Sequence, residues 1–309
     1  MKIFFSNMTC VLALTTSSLA FAAPQSSFKL NGEVGGGLIF NSALSIDELD
    51  EVSSQSDNGY EYNGEVKGKW QLTDNAKLSS SYAYNQKTYS EYSQYDLALH
   101  QLSVDGSYKI NRSEIGVRVD GASASVAGET FLNYQQASLY LGHFIQPETY
   151  LRTSVKVKNK SFSELSARDA SGFGTTFDMF HFMDGANTML IFGLSAEKEN
   201  AQDSQFDYFG LGIHTKITHK FSLFGLSSKV GLGLRYQKKD YQSLTVETLQ
   251  AADTNERDEN RQVIEANWDL HLLDNLSVKT ELQHGDFKSQ LESQTYQQTT
   301  ASVGLKYTF

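Results

Sequence analysis

The chain has 309 residues, with 26 Lys and Arg against 36 Asp and Glu, and a formal net charge of −10. This acidic balance disfavours nucleic acid as a partner, because affinity for nucleic acid depends on basic side chains that neutralise phosphates. The single cysteine, Cys10, excludes a disulfide framework, and only two prolines, Pro24 and Pro147, interrupt the chain. No stretch resembles a linker, so we expect one domain after the amino-terminal segment.

The amino terminus resembles a secretory signal peptide. Lys2 precedes a run of apolar and small residues at 11–22, and Ala20-Phe21-Ala22 forms an A-x-A cleavage site. The run is too short for a helix that spans a membrane. The sequence therefore predicts that residues 1–22 are removed and that residues 23–309 form the exported domain.

Apolar and polar residues alternate with a period of two through the rest of the chain, which is typical of strands with one apolar face. In residues 60–72, aromatic residues near both ends share a face with Val66, and Lys67 and Lys69 lie on the other face. The alternation predicts fourteen strands, with twelve or sixteen as alternatives, at residues 28–40, 60–72, 77–89, 97–110, 113–126, 132–145, 149–162, 173–183, 187–198, 206–217, 223–239, 260–272, 276–288 and 296–309.

The connections between these strands alternate in length. Short turns are predicted at 73–75, 111–112, 146–148, 184–186, 218–220 and 273–275, and the longest loops at 41–59 and 240–259. Short periplasmic turns and longer outer loops are typical of outer-membrane barrels. We therefore expect an all-β fold, a transmembrane antiparallel up-and-down β-barrel, with both termini in the periplasm and loop 41–59 outside.

The carboxyl-terminal strand ends on an alternating segment that contains Gly304, Tyr307 and Phe309. With the alternation, this ending resembles Gram-negative outer-membrane β-barrels over the whole mature chain. The resemblance implies that these three residues are the assembly signal for the barrel-assembly machinery. It also implies outer-membrane lipid and lipopolysaccharide as partners.

A narrower resemblance involves the last three strands. The run Tyr236-Gln237-Lys238-Lys239-Asp240-Tyr241, the pair Arg257-Asp258 and the pair Gly304-Leu305 are similar to barrels of the surface lipoprotein assembly modifier family. That family usually carries a helical-repeat domain before its barrel, and we expect no counterpart of that domain in this chain.

Fourteen strands predict a narrow aqueous pore, because eight strands leave an interior filled by side chains and sixteen leave a channel. In size and strand count the chain resembles the monomeric oligosaccharide porins. The leading interpretation is a porin-like channel for passive diffusion of small solutes. Two alternatives stay open, an accessory for surface protein assembly or secretion and a rim-active hydrolase or acyl-transfer enzyme. No histidine lies in a catalytic or metal motif, and we expect no cofactor.

Charged residues on the predicted lumen faces are candidates for lining the pore: Lys67, Lys69, Arg118, Arg152, Lys156, Lys158, Lys160, Arg235, Glu265 and Asp269. Four of them share one face of one strand, from Arg152 to Lys160, and we expect this uncompensated basic stripe to attract anions. The alternative is ordinary paired wall charges with no role in selectivity.

The loop at 41–59 carries four acidic residues, Asp47, Glu48, Asp50 and Glu51. One interpretation makes it a gating loop that folds inward against the basic stripe. The other makes it a solvated surface loop, which is the commoner arrangement.

Overall fold

The computed structural model describes residues 27–242, 244–248, 251–255 and 257–309, and the expected signal peptide lies outside the described residues. These residues form eighteen strands: β1 (Ser27–Asn41), β2 (Leu44–Ile46), β3 (Glu51–Ser53), β4 (Asp57–Gln71), β5 (Ala76–Tyr89), β6 (Leu97–Ile110), β7 (Ser113–Val126), β8 (Glu129–Gln146), β9 (Thr149–Phe162), β10 (Ala170–Met183), β11 (Thr188–Ala201), β12 (Tyr208–Leu223), β13 (Leu226–Tyr241), β14 (Leu244–Thr248), β15 (Ala251–Asn255), β16 (Glu259–Leu273), β17 (Leu276–Ser289) and β18 (Tyr296–Thr308). Short 3-10 helices lie at Asp47–Leu49, Ser93–Tyr95, Ser166–Arg168, Asp184–Ala186, Ser204–Phe206 and Glu292–Gln294.

Fourteen long strands close into one antiparallel barrel. Around the wall the order is β1, β18, β17, β16, β13, β12, β11, β10, β9, β8, β7, β6, β5 and β4, and β4 pairs with β1. The four remaining strands form two short hairpins, β2–β3 and β14–β15, within the connections that follow β1 and β13. The predicted fold class and the count of fourteen strands are therefore confirmed. Among the described residues, no helix is long and apolar enough to cross a membrane.

Period-two alternation explains how the wall forms. On β1 the apolar side chains Leu30, Val34 and Leu38 project outward and are exposed. Polar side chains on the opposite face line the interior, so the outer surface is the apolar one, as a barrel in lipid requires. A conventional apolar core is small here. One buried cluster inside the barrel consists of Ala124, Leu132 and Phe162, on β7, β8 and β9.

The two rims differ in the length of their connections. At one rim, two to four residues separate consecutive strands, and at the other rim the connections have six or more residues, except at 127–128. Three connections of the long-loop rim share one arrangement. In each, the aspartate that follows a 3-10 helix accepts a hydrogen bond from the backbone N–H of the last residue of the preceding strand. The pairs are Asp96 with Tyr89 N (2.7 Å), Asp169 with Phe162 N (2.6 Å) and Asp207 with Ala201 N (2.5 Å).

One predicted turn is wrong. Residues 218–220 lie inside β12, which continues to Leu223, and the chain reverses at Phe224 and Gly225. Both turn residues have positive φ, 51° and 82°. A two-residue hairpin needs this conformation, and glycine adopts it without steric cost. The turn therefore forms at Gly225.

Candidate functional site: a loop folded into the barrel

The connection between β1 and β4, residues 42–56, is called the inner loop here. Its β2–β3 hairpin places Asp47, Glu48 and Asp50 at the tip. Asp50 adopts a left-handed conformation with φ of 55°, which aspartate tolerates better than most residues, and its amide donates to Asp47 O at 3.3 Å. Three carboxylates therefore lie within four residues of a tight turn.

The base of the inner loop is buried in the barrel. Ala43, Leu44 and Ile46 are 3%, 1% and 6% exposed. Side chains of the β18 region hold the loop backbone, since Gln298 Nε2 donates to Ala43 O at 2.6 Å and Gln294 Nε2 donates to Asp50 O at 2.8 Å. The loop therefore packs against the interior of the wall.

The tip of the inner loop contacts the far side of the barrel. Lys160, near the end of β9, lies 3.0 Å from a carboxylate oxygen of Glu48, and Arg168 Nη1 donates to Glu48 O at 2.7 Å. Leu49 packs against the cluster that contains Leu132 and Phe162. Four wall strands (β5–β8) separate β9 from β4 in one direction, and seven (β10–β13 and β16–β18) separate it from β1 in the other. The inner loop therefore crosses the lumen.

Further contacts come from the connection between β9 and β10, from residues at and just before the start of β16, and from the first residue of β18. Arg257 and Arg168 both donate to the carboxylate of Asp50, and Arg261 Nη1 donates to Asp47 at 2.8 Å. Tyr296 donates its hydroxyl to Asp47 at 2.8 Å. With Lys160 and Lys239, these arginines surround the small space under the tip. We define the basic patch as Lys160, Arg168, Lys239, Arg257 and Arg261.

The basic patch has more charge than its wall partners neutralise. Among the described wall residues, the carboxylates in ion pairs with it are Glu199, 3.3 Å from Lys160, and Glu259, which contacts Lys239, Arg257 and Arg261. Five cations against two carboxylates leave at least three positive charges, because Glu199 is shared with Lys158. The three carboxylates at the tip of the inner loop balance them.

The charge state of the tip favours this contact. Burial alone would raise the pKa of Glu48, but the positive charges of Lys160, Lys239 and Lys158 outweigh it and hold the pKa below its usual value of 4.5. For Arg257, burial alone would lower the pKa, and the hydrogen bonds to Asp50 raise it instead. Glu48 and Arg257 are therefore both charged at neutral pH.

The basic stripe predicted on β9 is compensated, so the expectation of an uncompensated stripe is wrong. Lys156 lies 3.4 Å from Glu197, and Lys158 lies 2.7 Å from Glu199. These glutamates are on β11, one strand beyond the neighbour of β9. The lysines reach them across Gly172 and Gly174 of β10, where an added Cβ would lie 2.7 and 2.6 Å from the lysine Cε atoms.

Arg152, the fourth residue of the predicted stripe, lies apart from these ion pairs. Its guanidinium lies 3.8 Å from the centre of the Tyr140 ring, whose hydroxyl donates to Asp105 at 2.9 Å. The structure therefore divides the predicted stripe into a stacked arginine and three ion-paired lysines.

Most of the other predicted pore-lining charges also have ionic partners. The pairs are Lys67 with Glu65 (2.6 Å), Arg118 with Asp120 (2.8 Å), Arg235 with Glu265 (2.9 Å) and Asp269 with Lys229 (3.3 Å). Lys69 is exposed. Of the four predicted loop residues, Glu51 is exposed and has no ion pair among the described residues, whereas Asp47, Glu48 and Asp50 contact the wall.

A cavity of about 540 Å³ lies on the interior side of β4–β10. Serine and threonine hydroxyls line it with the charged side chains of Arg118, Asp120, Arg152 and Asp178. In the part of the chain that the structure describes, no group of three His, Cys, Asp or Glu residues is arranged to hold a metal ion. The cavity is a polar space suited to hydrated solutes or an extended polar segment.

Sequence patterns did not predict the partners of the inner loop, Arg168, Lys239, Arg257 and Arg261, or the partners of the lysine row, Glu197 and Glu199. The sequence does contain a signal for the glutamates. Glu197 and Glu199 are two residues apart and therefore share one face of a strand that a short turn joins to β10. Counting back from that turn pairs Gly174 with Glu197 and Gly172 with Glu199. No comparable count connects the inner loop to β9 or β16.

The closed barrel with an apolar exterior and a charged interior defines an outer-membrane β-barrel. A family model described as surface lipoprotein assembly modifier matches residues 41–309, and the chain belongs to this family. The narrower resemblance noted in the last strands is therefore confirmed. No curated protein sequence matches the chain.

Solved structures of outer-membrane proteins share the fold. The trimer form of OmpT of Vibrio cholerae is 8% identical, with a TM-score of 0.54 over 93% of this chain and 100% of that chain. The outer membrane channel DcaP of Acinetobacter baumannii is 11% identical, with a TM-score of 0.53 over 92% of this chain and 97% of that chain. At these identities the likeness establishes the fold alone.

Proposed function

We propose that this barrel is an outer-membrane accessory for the assembly or secretion of surface proteins, and that its resting lumen is blocked by the inner loop. The observation that carries the proposal is the ionic contact of the inner-loop tip with the opposite wall, through Glu48–Lys160 and Asp50–Arg168. In a pore for constant passive diffusion, such a contact would only narrow the lumen. A conduit that opens only when a client arrives requires one.

Family membership supports this function over the porin-like interpretation, because the family is described by surface lipoprotein assembly. In this proposal the long-loop rim faces outward and both termini are periplasmic. The inner loop then closes the outer side of the lumen. The polar cavity on the interior side of β4–β10 is the path for an unfolded segment.

A channel for small solutes is the second candidate. The cavity of about 540 Å³ with hydroxyl and mixed charged lining favours it, since such walls suit hydrated neutral solutes. In this candidate the inner loop narrows the pore and sets its size limit. We propose no enzymatic role.

Surface proteomics separates the two candidates. Cells that lack this protein are treated with an external protease, and the shaved surface proteins are compared with those of cells complemented with the wild-type chain. The assembly role predicts loss of a small set of surface proteins in the deletion strain, with unchanged uptake of small sugars and amino acids. An unchanged surface set with slowed solute uptake would contradict it and support the channel.

A further inference from the structure

The tip of the inner loop is bound as a peptide ligand would be. Arginine side chains donate hydrogen bonds to its carboxylates, and Arg168 also donates to a backbone carbonyl, Glu48 O, at 2.7 Å. Gln294 donates to a second backbone carbonyl, Asp50 O, at 2.8 Å. Apolar contact is added by Leu49 against the cluster around Phe162. The wall therefore contacts charge, backbone and an apolar side chain within one short segment.

The basic patch loses most of its carboxylate partners if the inner loop leaves the lumen. Without Asp47, Glu48 and Asp50, the carboxylates that pair with the five cations of the basic patch are, among the described residues, Glu199 and Glu259. Cations taken partly out of water are costly unless they are paired. When the loop leaves the lumen, this patch is open to water and to a new anionic ligand.

We propose that the basic patch is a binding site for an acidic segment of polypeptide, and that the inner loop occupies it as an internal competitor. The ligand class is a short turn with two or three carboxylates within about four residues and one apolar residue among them, as in Asp47–Asp50. The identification of this segment with part of an exported client rests on the function proposed above. The binding site itself does not.

Guanidinium groups suit this ligand better than they suit a single small anion. Arg168 and Arg257 converge on one carboxylate, and Arg261 holds another at 2.8 Å, so affinity requires several carboxylates on one chain. The backbone contacts of Arg168 and Gln294 add a requirement for peptide groups. A free phosphate or acetate satisfies neither requirement.

The inner loop competes with any other ligand of the basic patch because it is attached to the barrel. A loop attached at both ends acts at an effective concentration on the order of millimolar, so a free acidic peptide competes poorly with it in the resting barrel. A client segment held at the periplasmic mouth would have a similar local concentration. It would then displace the loop, bind the patch and open the lumen in one exchange.

The test uses the full barrel purified in detergent and a fluorescent ten-residue peptide with the sequence of residues 44–53. A matched control peptide carries Asn or Gln at each acidic position. Binding is followed by fluorescence anisotropy, in the wild type and in the variant Asp47→Asn/Glu48→Gln/Asp50→Asn. A second variant replaces residues 44–53 by a Gly-Ser linker and gives the same test if the first does not fold.

The acidic peptide should bind the loop-neutralised barrel at least tenfold more tightly than it binds the wild type, and the control peptide should bind neither. Adding Arg168→Gln/Arg257→Gln to that variant should abolish binding, and rising salt should weaken it. Equal binding of both peptides, or no binding of the acidic peptide to either loop variant, would overturn the proposal. Peptide binding with an unchanged surface proteome would leave this site standing and refute only the assembly function.

Discussion

Phe309 pairs with Gly32 across the seam that closes the barrel. Phe309 N donates to Gly32 O at 2.9 Å, and Gly32 N donates to Phe309 O at 2.8 Å. The Phe309 ring covers Gly32 so closely that a Cβ there would lie 2.4 Å from ring atoms. The last residue therefore forms the final pair between β18 and β1, and the missing side chain of Gly32 makes room for its ring.

This contact gives the first prediction. Phe309→Ser and Gly32→Val should each reduce the yield of folded barrel in the outer membrane several-fold, because one removes the ring and the other blocks its position. Phe224→Ser is the matched control, since Phe224 is 95% exposed in a turn. Yield is measured by heat-modified mobility of membrane fractions. Equal yields for Phe309→Ser and Phe224→Ser would remove the role of the carboxyl terminus in assembly.

The second prediction concerns the two faces of β4. Val66 projects outward in the middle third of the strand, and Lys67 pairs with Glu65 at 2.6 Å on the other face. Val66→Arg should lower the free energy of unfolding by about 2–4 kcal/mol, the cost of an arginine near the bilayer midplane. Lys67→Gln should change it little, because this ion pair is partly exposed. Urea titration in lipid vesicles provides the values, and matching midpoints would mean that the faces are exchanged.

The third prediction concerns ion selectivity. Glu197 and Glu199 pair with Lys156, Lys158 and Lys160, so three lysines against two glutamates leave one positive charge, and the lysine row should give only a weak anion preference. Glu197→Gln/Glu199→Gln, made in the barrel with residues 44–53 replaced by a Gly-Ser linker, should shift the reversal potential in a salt gradient toward anion preference. The shift should fade above about 0.5 M salt, where screening is strong. Glu164→Gln, in an exposed loop, is the control, and an equal shift there would refute the assignment.

The fourth prediction concerns pH. Glu48 faces Lys160, Lys239 and Lys158, and its carboxylate is favoured in the docked loop. A lowered pKa in the docked state means that docking is fully stabilised above the ordinary value of 4.5 and loses this contribution as pH falls through the lower, docked value. Conductance in planar bilayers should therefore stay low from pH 7 to pH 5 and rise only at pH values below 4.5. In Glu48→Gln this acid-dependent rise should be smaller, and an identical pH profile would exclude Glu48 as the titrating group.

The wall could be predicted from sequence, and the interior contacts could not. Alternation alone located β6, β7 and β9 with the bounds that the structure has, because each strand has one apolar and one polar face. The turn at Gly225 was misplaced because three consecutive polar residues at 218–220 resemble a turn, although they continue β12 and only alternate ones face the interior. Local pattern cannot separate those two cases.

Contacts of the inner loop depend on closure of the barrel. Asp50 and Arg257 are 207 positions apart, and no local pattern connects them. The sequence raised inward folding of the acidic loop as one of two interpretations, and it identified Lys160 as a candidate partner. Arg168 was not singled out, and Arg257 was noted only in the family resemblance, because both lie between strands, where we expected solvated loops.

Single-channel recording on the pair Asp50→Asn and Glu51→Gln tests the central claim, that the inner loop blocks the lumen through its ionic contacts with the basic patch. Asp50 joins Arg168 and Arg257, whereas Glu51 is exposed next to it. We expect wild type and Glu51→Gln to remain closed for most of the recording, and Asp50→Asn to open frequently to a larger, steady conductance. A wild type that conducts steadily at the level of Asp50→Asn would contradict the account.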